Sequence, residues 1–229
     1  MGSFLHTDMT DRTYPGIEHT IETPTHGRFL VSPSSTQNAP LLVGFHGYAE
    51  TAEEELERLR TIPSIDRWTI AAVQGLHQFY RRQGSELAAS WMTRQNREFA
   101  IADNIAYVAN TVRVISETYS TSGTLVFTGF SQGVAMAFRA ATSSSIPVAG
   151  IIICGGDVPP ELDTNHLKRI PVALIGRGIR DGWYTAEKFE SDKERLRAAD
   201  VSVRTAVLDA AHEWTAPFSD ACGELLRTL

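Results

Sequence analysis

A serine between two glycines is the residue of this sequence best suited to act as a nucleophile. Residues 129–133 read Gly-Phe-Ser-Gln-Gly, with Ser131 at the centre. Residues 125–127 before it form a short apolar run, and good helix formers follow from Val134. A serine at a sharp strand-to-helix turn presents its hydroxyl above the sheet edge, and the flanking glycines let strand and helix approach closely. The segment therefore predicts a nucleophile rather than a plain glycine-rich turn.

A serine nucleophile needs a base and an acid, and the sequence offers candidates for both. An imidazole can take the serine proton and return it to the leaving group, while a carboxylate fixes the imidazole tautomer. His212 is the best base, because it follows the last predicted strand on a loop of small residues. Asp181 and Asp157 each follow a predicted strand. Asp181 is preferred as the acid by analogy with similar folds, and Asp157 stays the alternative.

A second chemical segment lies at His46-Gly47-Tyr48, directly after the apolar run 41–45. Gly47 lets the backbone turn back over the serine. The N–H groups of Tyr48 and of Gln132, at the start of the helix after Ser131, are then predicted to stabilise an oxyanion. We interpret His46 as a buried structural histidine that holds this loop.

From residue 40 onward, strand and helix patterns alternate along the chain. This order predicts a mostly parallel sheet covered by helices on both faces, with the chemical residues at the carboxyl ends of the strands. Before it, residues 17–23 and 28–32 predict an N-terminal antiparallel hairpin. Strands are predicted at 41–45, 68–73, 125–127, 148–154, 171–175 and 201–208, and helices at 51–60, 98–119, 134–141, 183–199 and 215–229. For the helix at 98–119 the spacing predicts a buried stripe of Phe99, Ala102, Ile105, Ala106, Ala109 and Val112.

Residues 74–96 show no clean periodicity, which is typical of a functional or mobile loop. The aromatic residues there and after the later strands are predicted to line a substrate pocket. They are Phe79, Tyr80, Trp91, Trp183 and Trp214, with Tyr184 beside them. We expect at least two of these six to anchor their loops to the core instead. Residues 155–170 leave room for one short helix, so no large lid is predicted.

Composition and charge limit the number of domains and the kinds of partner that the chain can have. The 229 residues carry a net charge of −6, and 42% are hydrophobic, which suits one α/β catalytic domain at 17–229 after a flexible leader at 1–16. Few basic residues cluster, so nucleic acid is not an expected partner. No apolar stretch reaches membrane-spanning length, and there is no secretory signal, so we predict a cytoplasmic protein without membrane insertion. A homodimer is compatible with the sequence, which leaves the oligomeric state open.

These motifs together resemble the α/β-hydrolases of the phospholipase/carboxylesterase family, which includes small bacterial carboxylesterases and acyl-protein thioesterases. The resemblance rests on residues 45–48, 129–133, 178–181 and 211–214, and it covers residues 17–229. It implies a Ser131-Asp181-His212 triad, oxyanion donors on Tyr48 and Gln132, and no metal or cofactor. The chain departs from the family at Ala49 and Cys154, where the family often has glycine and serine.

The resemblance implies a serine hydrolase that cleaves small to medium carboxylic esters through an acyl-enzyme. Acyl-protein thioesterase and lysophospholipase activities are alternatives within the same class. A non-catalytic binding protein with this fold is the alternative from another class.

Overall fold

A seven-stranded sheet lies at the centre of the computed structural model, which describes residues 16–81 and 84–229. Its strands are β1 (Phe29–Ser32), β2 (Leu41–Phe45), β3 (Thr69–Val73), β6 (Leu125–Phe130), β7 (Val148–Cys154), β8 (Val172–Gly178) and β9 (Ser202–Leu208). The order across the sheet is β1-β3-β2-β6-β7-β8-β9. Every pair is parallel except β1 with β3, so the predicted α/β architecture is confirmed.

Helices cover both faces of this sheet. They are α1 (Ala52–Arg60), α2 (Arg97–Tyr119), α3 (Gln132–Ser143), α4 (Thr164–Leu167), α5 (Ala186–Ala198) and α6 (Ala216–Leu226), with a short 3-10 helix at Ile65–Arg67. Neighbouring strand residues point to opposite sides: Val43 belongs to the core cluster that includes residues of α2, α3 and α5, whereas Leu42 belongs to the cluster that includes residues of α1 and α6. Within the described residues, no helix is long and apolar enough to cross a membrane.

The start of α1 illustrates how local sequence determines an element. The Glu54 N–H donates to Thr51 Oγ1 at 3.3 Å, and the Thr51 N–H donates to Glu54 Oε2 at 2.8 Å. This capping box is the one that the Thr51 and Glu54 spacing predicts. It fixes where α1 begins, and therefore how many residues remain for the loop between β2 and α1.

The prediction of an N-terminal antiparallel hairpin is wrong. Residues 17–28 form no strand, and Ile17 and Ile21 are almost fully exposed. The returning segment does form β1, but β1 pairs with β3 at the edge of the large sheet. An isolated two-stranded hairpin is marginally stable in water, whereas the edge of a buried sheet offers a row of unpaired backbone groups.

Residues 74–96, predicted as a loop without structure of its own, contain a second antiparallel pair. The strands are β4 (His77–Tyr80) and β5 (Leu87–Ser90). Backbone hydrogen bonds attach this hairpin to the loop after β2: the Ala49 N–H donates to Ala89 O at 2.9 Å, and the Ala89 N–H donates to Glu50 O at 3.0 Å. The short strands are neither alternating nor rich in β-branched residues, so periodicity did not reveal them.

The buried face of α2 also differs from the prediction. Val112 is buried as expected, but Phe99, Ala102, Ala106 and Ala109 are exposed, so a different face of the helix packs on the core. It comprises Ala100, Asn104, Val108, Thr111, Val112 and Ile115. Asn104 is the reason that the apolar pattern misleads, because its buried amide donates to Trp91 O at 2.7 Å and to Ala100 O at 2.6 Å.

Candidate active site

Ser131 lies between the end of β6 and the first residue of α3. Its backbone has φ 53° and ψ −116°, a conformation that non-glycine residues rarely adopt. The Ser131 N–H donates to Cys154 O at 2.9 Å, which attaches the turn to the end of β7. A strained backbone of this kind persists only where the surrounding structure holds it.

The two flanking glycines allow a close approach of backbone to backbone. A Cβ atom on Gly129 would lie 2.4 Å from Gly133 O, and one on Gly133 would lie 1.9 Å from Phe45 O. No side chain fits at either position, since such contacts are shorter than real Cβ atoms show. The first turn of α3 therefore lies directly against the carboxyl end of β2, beside the loop that carries Tyr48.

Ser131, His212 and Asp181 form one hydrogen-bonded chain. Ser131 Oγ lies 2.8 Å from His212 Nε2, and His212 Nδ1 lies 2.8 Å from Asp181 Oδ2. The three residues come from the ends of β6, β9 and β8, as expected where parallel strands meet one sheet edge. The Phe130 ring packs against the imidazole of His212, with 5.2 Å between ring centroids. This arrangement can pass a proton from the hydroxyl to the imidazole.

Asp181 is held as a carboxylate by its own loop. Its Oδ1 accepts hydrogen bonds from the N–H groups of Trp183 at 2.8 Å and Tyr184 at 3.0 Å, and the side chain is buried. Desolvation raises the pKa of Asp181, but these backbone donors and His212 outweigh it, so that the pKa lies below its usual value. The group is therefore charged at neutral pH and can orient the imidazole.

The alternative acid lies elsewhere. The Asp157 side chain is 58% exposed, and its Oδ2 lies 3.5 Å from Nζ of Lys188. The structure thus places Asp181, and not Asp157, beside His212.

The two predicted oxyanion donors are the main-chain N–H groups of Tyr48, in the loop after β2, and of Gln132, the first residue of α3. The Gln132 side chain is engaged elsewhere: its Oε1 accepts from the Trp91 N–H at 3.0 Å, and its Nε2 donates to Met92 O at 3.2 Å. Its N–H belongs to the first turn of α3, where amides have no partner within the helix. The helix dipole adds positive potential at this end.

His46 fixes the peptide that carries the Tyr48 N–H. Its Nε2 accepts from the Gly75 N–H at 2.9 Å, so Nδ1 carries the proton and donates to Gly47 O at 2.7 Å. Gly47 O and the Tyr48 N–H belong to one trans peptide and point in opposite directions, so holding the oxygen directs the N–H. Burial lowers the pKa of His46, which keeps it neutral as this arrangement requires. The predicted structural role of His46 is confirmed.

Two of the predicted pocket aromatics are loop anchors. Trp91 is fully buried, and its indole N–H donates to His46 O at 2.9 Å. The prediction that Trp91 lines the pocket is therefore wrong, because the indole N–H finds its acceptor inside the core. Tyr184 is also buried, with its hydroxyl 3.0 Å from Asp192 Oδ2. Both results agree with the expectation that at least two of the six are anchors.

The other aromatics are divided between the surface and α6. Trp214 is half-buried, with its Nε1 2.9 Å from Ser219 Oγ and its ring edge-on to Phe218. Trp183 is 77% exposed, two residues beyond Asp181. Phe79 stacks on Tyr48 with 5.7 Å between centroids, and Tyr80 beside it is exposed. The Tyr48–Phe79 pair and Trp183 therefore remain as candidate contacts for substrate.

Sequence patterns did not reveal three side chains near the site: Phe130, Glu50 and Arg58. Phe130 contacts His212, and Glu50 accepts a hydrogen bond from the Gly47 N–H. For Phe130 and Glu50 the available signal was their position next to Ser131 and next to the Gly47 turn, whereas nothing in the sequence pointed to Arg58. In residues 16–81 and 84–229, no group of three or more His, Cys, Asp or Glu side chains is placed to hold a metal ion.

Solved structures of esterases share this fold at low sequence identity. A carboxylesterase from Mesorhizobium loti has a TM-score of 0.72 at 15% identity, over 89% of this chain and 95% of that one. The Bacillus cereus carboxylesterase gives 0.71 at 15% identity, over 88% and 94%. Acyl-protein thioesterase 2 of Zea mays gives 0.69 at 18% identity, over 89% and 99%. Similarity at this level of identity establishes the fold alone.

Sequence comparison supplies the family. No curated protein matches the chain significantly. The model of the family described as Phospholipase/Carboxylesterase matches residues 26–178, which is more than half of the 229 residues. The chain therefore belongs to the phospholipase/carboxylesterase family and is a carboxylic ester hydrolase.

Proposed function

We propose that the protein is a serine hydrolase that cleaves small to medium carboxylic esters through an acyl-enzyme. The observation that carries the proposal is the chain of two 2.8 Å contacts from Ser131 Oγ through His212 to Asp181. A serine hydroxyl alone is a poor nucleophile, and this arrangement supplies the base and its orienting carboxylate.

In the proposed mechanism, His212 Nε2 takes the Ser131 proton as Oγ attacks the ester carbonyl carbon. The carbonyl oxygen becomes an oxyanion, which the N–H groups of Tyr48 and Gln132 stabilise. Collapse of this intermediate breaks the ester bond, and the alcohol leaves with the proton from His212. Water then attacks the acyl-enzyme by the same sequence, which releases the carboxylic acid and restores Ser131.

The same groups would hydrolyse a thioester, so acyl-protein thioesterase and lysophospholipase activities are the alternatives. What favours smaller substrates is the connection after β7. Between Cys154 and Val172 the structure has one helix, α4, of four residues. Lids that cover long acyl chains in this fold are usually inserted at this point. The exposed Trp183 and the Tyr48–Phe79 pair are proposed to contact the substrate at an open site.

A fluorophosphonate probe tests the proposal, because it reacts preferentially with an activated serine nucleophile. Ser131→Ala should abolish labelling and lower turnover of a short-chain ester by about 10⁴-fold or more. Ser143→Ala, at the exposed end of the same helix, is the matched control and should label normally. Retention of most esterase activity in Ser131→Ala would refute the mechanism, and it would favour a non-catalytic role for the triad residues.

A further inference from the structure

Three ionisable side chains form a cluster beneath the loop that carries Tyr48. Arg58 of α1 donates through Nη2 to Glu50 Oε1 at 2.6 Å and through Nη1 to Glu55 Oε2. The guanidinium is thus held between two carboxyl groups. The side chains are 12% exposed for Arg58 and 22% for Glu50, and Glu55 is completely buried. This cluster is therefore unlike an exposed surface ion pair, which would be mobile and weakly coupled.

The carboxylate of Glu50 contacts the loop at the backbone of Gly47. The Gly47 N–H donates to Glu50 Oε2 at 2.6 Å. Gly47 therefore has its N–H held by the Glu50 carboxylate, while its carbonyl oxygen accepts from His46 Nδ1 and, at 3.3 Å, from the Glu50 N–H. These bonds fix the peptides on both sides of the Gly47 Cα, and the second of these peptides carries the Tyr48 N–H. Loss of the bond from the Gly47 N–H would leave the Tyr48 N–H positioned only through the Gly47 carbonyl oxygen, on one side of the Gly47 Cα.

The other side of the cluster faces the imidazole. The Arg58 guanidinium carbon lies 4.7 Å from the centroid of the Phe130 ring, a cation–π contact, and Phe130 packs on His212. The Phe130 ring also borders the Gly47 turn, since a Cβ on Gly47 would lie 3.2 Å from Phe130 Cδ1. Arg58 is thus in contact with the supports of both the oxyanion loop and the base.

Stability alone does not explain such a cluster. Burying charged groups costs free energy that pairing often fails to recover, and apolar residues of similar volume frequently do as well or better. Here one oxygen, Glu55 Oε1, is buried with no hydrogen-bond partner in the described part of the chain. A locally unfavourable arrangement next to a reactive site is expected where it serves that site.

We infer that Glu50, fixed by Arg58, is a positioning residue that aligns the Tyr48 N–H with the developing oxyanion. The inference rests on the proposed function. Glu50 contacts neither substrate nor the reacting atoms; it acts through Gly47. Loss of Glu50 should therefore weaken stabilisation of the transition state and leave binding of the ester ground state nearly unchanged.

The experiment compares the variants Glu50→Ala and Glu50→Gln with the wild-type protein, all as the full chain. Removing an oxyanion donor outright costs about 10²–10³-fold in kcat, so a donor that is present but misaligned should cost about 10- to 30-fold in Glu50→Ala. KM should change by less than about 2-fold. Glu50→Gln keeps one oxygen for the Gly47 N–H, so it should lose less activity. The affinity for an aryl trifluoromethyl ketone, which forms a tetrahedral adduct on the serine, should fall by the same factor as kcat/KM.

Glu57→Gln is the matched control, because Glu57 lies on the same helix and pairs with Arg60 rather than with the loop. It removes the same charge and should leave kcat and ketone affinity unchanged. An unchanged ketone affinity in both Glu50 variants would overturn the inference, as would a loss of equal size in Glu57→Gln. If Glu50→Ala does not fold, the isosteric Glu50→Gln decides the outcome by its ketone affinity.

Ser131→Ala, measured alongside, separates the two claims. If Ser131→Ala is inactive and the Glu50 variants behave as the wild type, the positioning role fails and the serine mechanism stands. If Ser131→Ala remains active, the serine mechanism itself fails, and the positioning role fails with it.

Discussion

At the scale of single residues, the environment of each carboxylate explains why one aspartate and not the other faces the base. Asp181 accepts two backbone N–H groups on one oxygen and the imidazole on the other. Asp157 is paired with the half-exposed ammonium of Lys188 at the surface. A carboxylate with fixed donors keeps a fixed direction, which orienting an imidazole requires.

Asp181→Asn should lower kcat by about 10⁴-fold, because an amide that donates to Nδ1 favours the imidazole tautomer that cannot accept the serine proton. Steady-state kinetics on a short-chain ester measure the effect. Asp157→Asn is the control and should stay within a few-fold of the wild type. A large loss in Asp157→Asn with little in Asp181→Asn would reverse the assignment.

Individual residues also show how far sequence reasoning reached. Ser131, Asp181 and His212 follow predicted strands, and the ends of parallel strands lie at one edge of a sheet, so their proximity could be predicted. The burial of Trp91 could not. It depends on an acceptor, His46 O, that lies 45 residues away along the chain. A pattern of residue types carries no information about such a partner.

At the scale of elements, the contact between α3 and β2 determines the geometry of the site. Gly133 lies where the helix backbone meets the carbonyl oxygen of Phe45. Helix propensity and packing make opposite predictions here. Alanine is the better helix former by about 1 kcal/mol, but its methyl group would collide with a backbone atom that cannot move independently.

Gly133→Ala should therefore destabilise the protein by about 3 kcal/mol, despite the gain in helix propensity. Urea denaturation followed by circular dichroism gives the change. Gly182→Ala is the matched control, since a Cβ there has no atom within 4 Å, and it should change stability by less than about 0.5 kcal/mol. An increase in stability for Gly133→Ala would mean that the close approach is absent.

The elements that the sequence predicted well are those whose apolar runs are buried on both faces, such as β7, whose bounds match the prediction. The β4–β5 hairpin was missed because its partners are the backbone groups of Ala49 and Glu50 rather than an apolar face. The buried stripe of α2 was displaced because Asn104 occupies a core position that hydropathy assigns to the surface.

At the scale of the whole molecule, Glu55 links stability to pH. Burial raises the pKa of the Glu55 carboxyl, and Arg58 beside it lowers that pKa. The effect of burial is the larger, so the pKa of Glu55 is about 7. The folded state therefore keeps a proton that the unfolded state has released between about pH 4.5 and 7. The contribution of Glu55 to the free energy of unfolding is present at low pH and is lost as the pH rises through this window.

Glu55→Gln should accordingly flatten the pH dependence. The difference in the free energy of unfolding between pH 5 and pH 8 should change by on the order of 2 kcal/mol relative to the wild type. Chemical denaturation at a series of pH values measures it, with the exposed Glu57→Gln as the control. Parallel curves for wild type and Glu55→Gln would contradict the shifted pKa.

The open connection after β7 leads to a prediction for the whole site. Because this connection holds only the four-residue helix α4, we expect the depth for an acyl chain to be limited. We expect kcat/KM to be highest for acyl chains of roughly two to six carbons and to fall by about tenfold or more for long ones, since overfilling a packed pocket costs about 1–3 kcal/mol. A series of p-nitrophenyl esters provides the test. A profile that rises toward palmitoyl esters would favour the thioesterase alternative.

The backbone of Ser131 has a consequence for laboratory evolution. A φ of 53° is strained for serine but accessible to glycine, so Ser131→Gly should relieve strain of about 1–3 kcal/mol. Glycine also gives the unfolded chain more conformational freedom, which lowers stability by about 0.4–1 kcal/mol. A net gain of about 1 kcal/mol would raise the Tm by about 2–4 °C in a protein of this size. Thermal melts would reveal it, and an unchanged or lower Tm would mean that the hydrogen bond to His212 outweighs the strain. A library sorted for heat resistance alone would then enrich clones that have lost the nucleophile, so any such selection must be coupled to turnover.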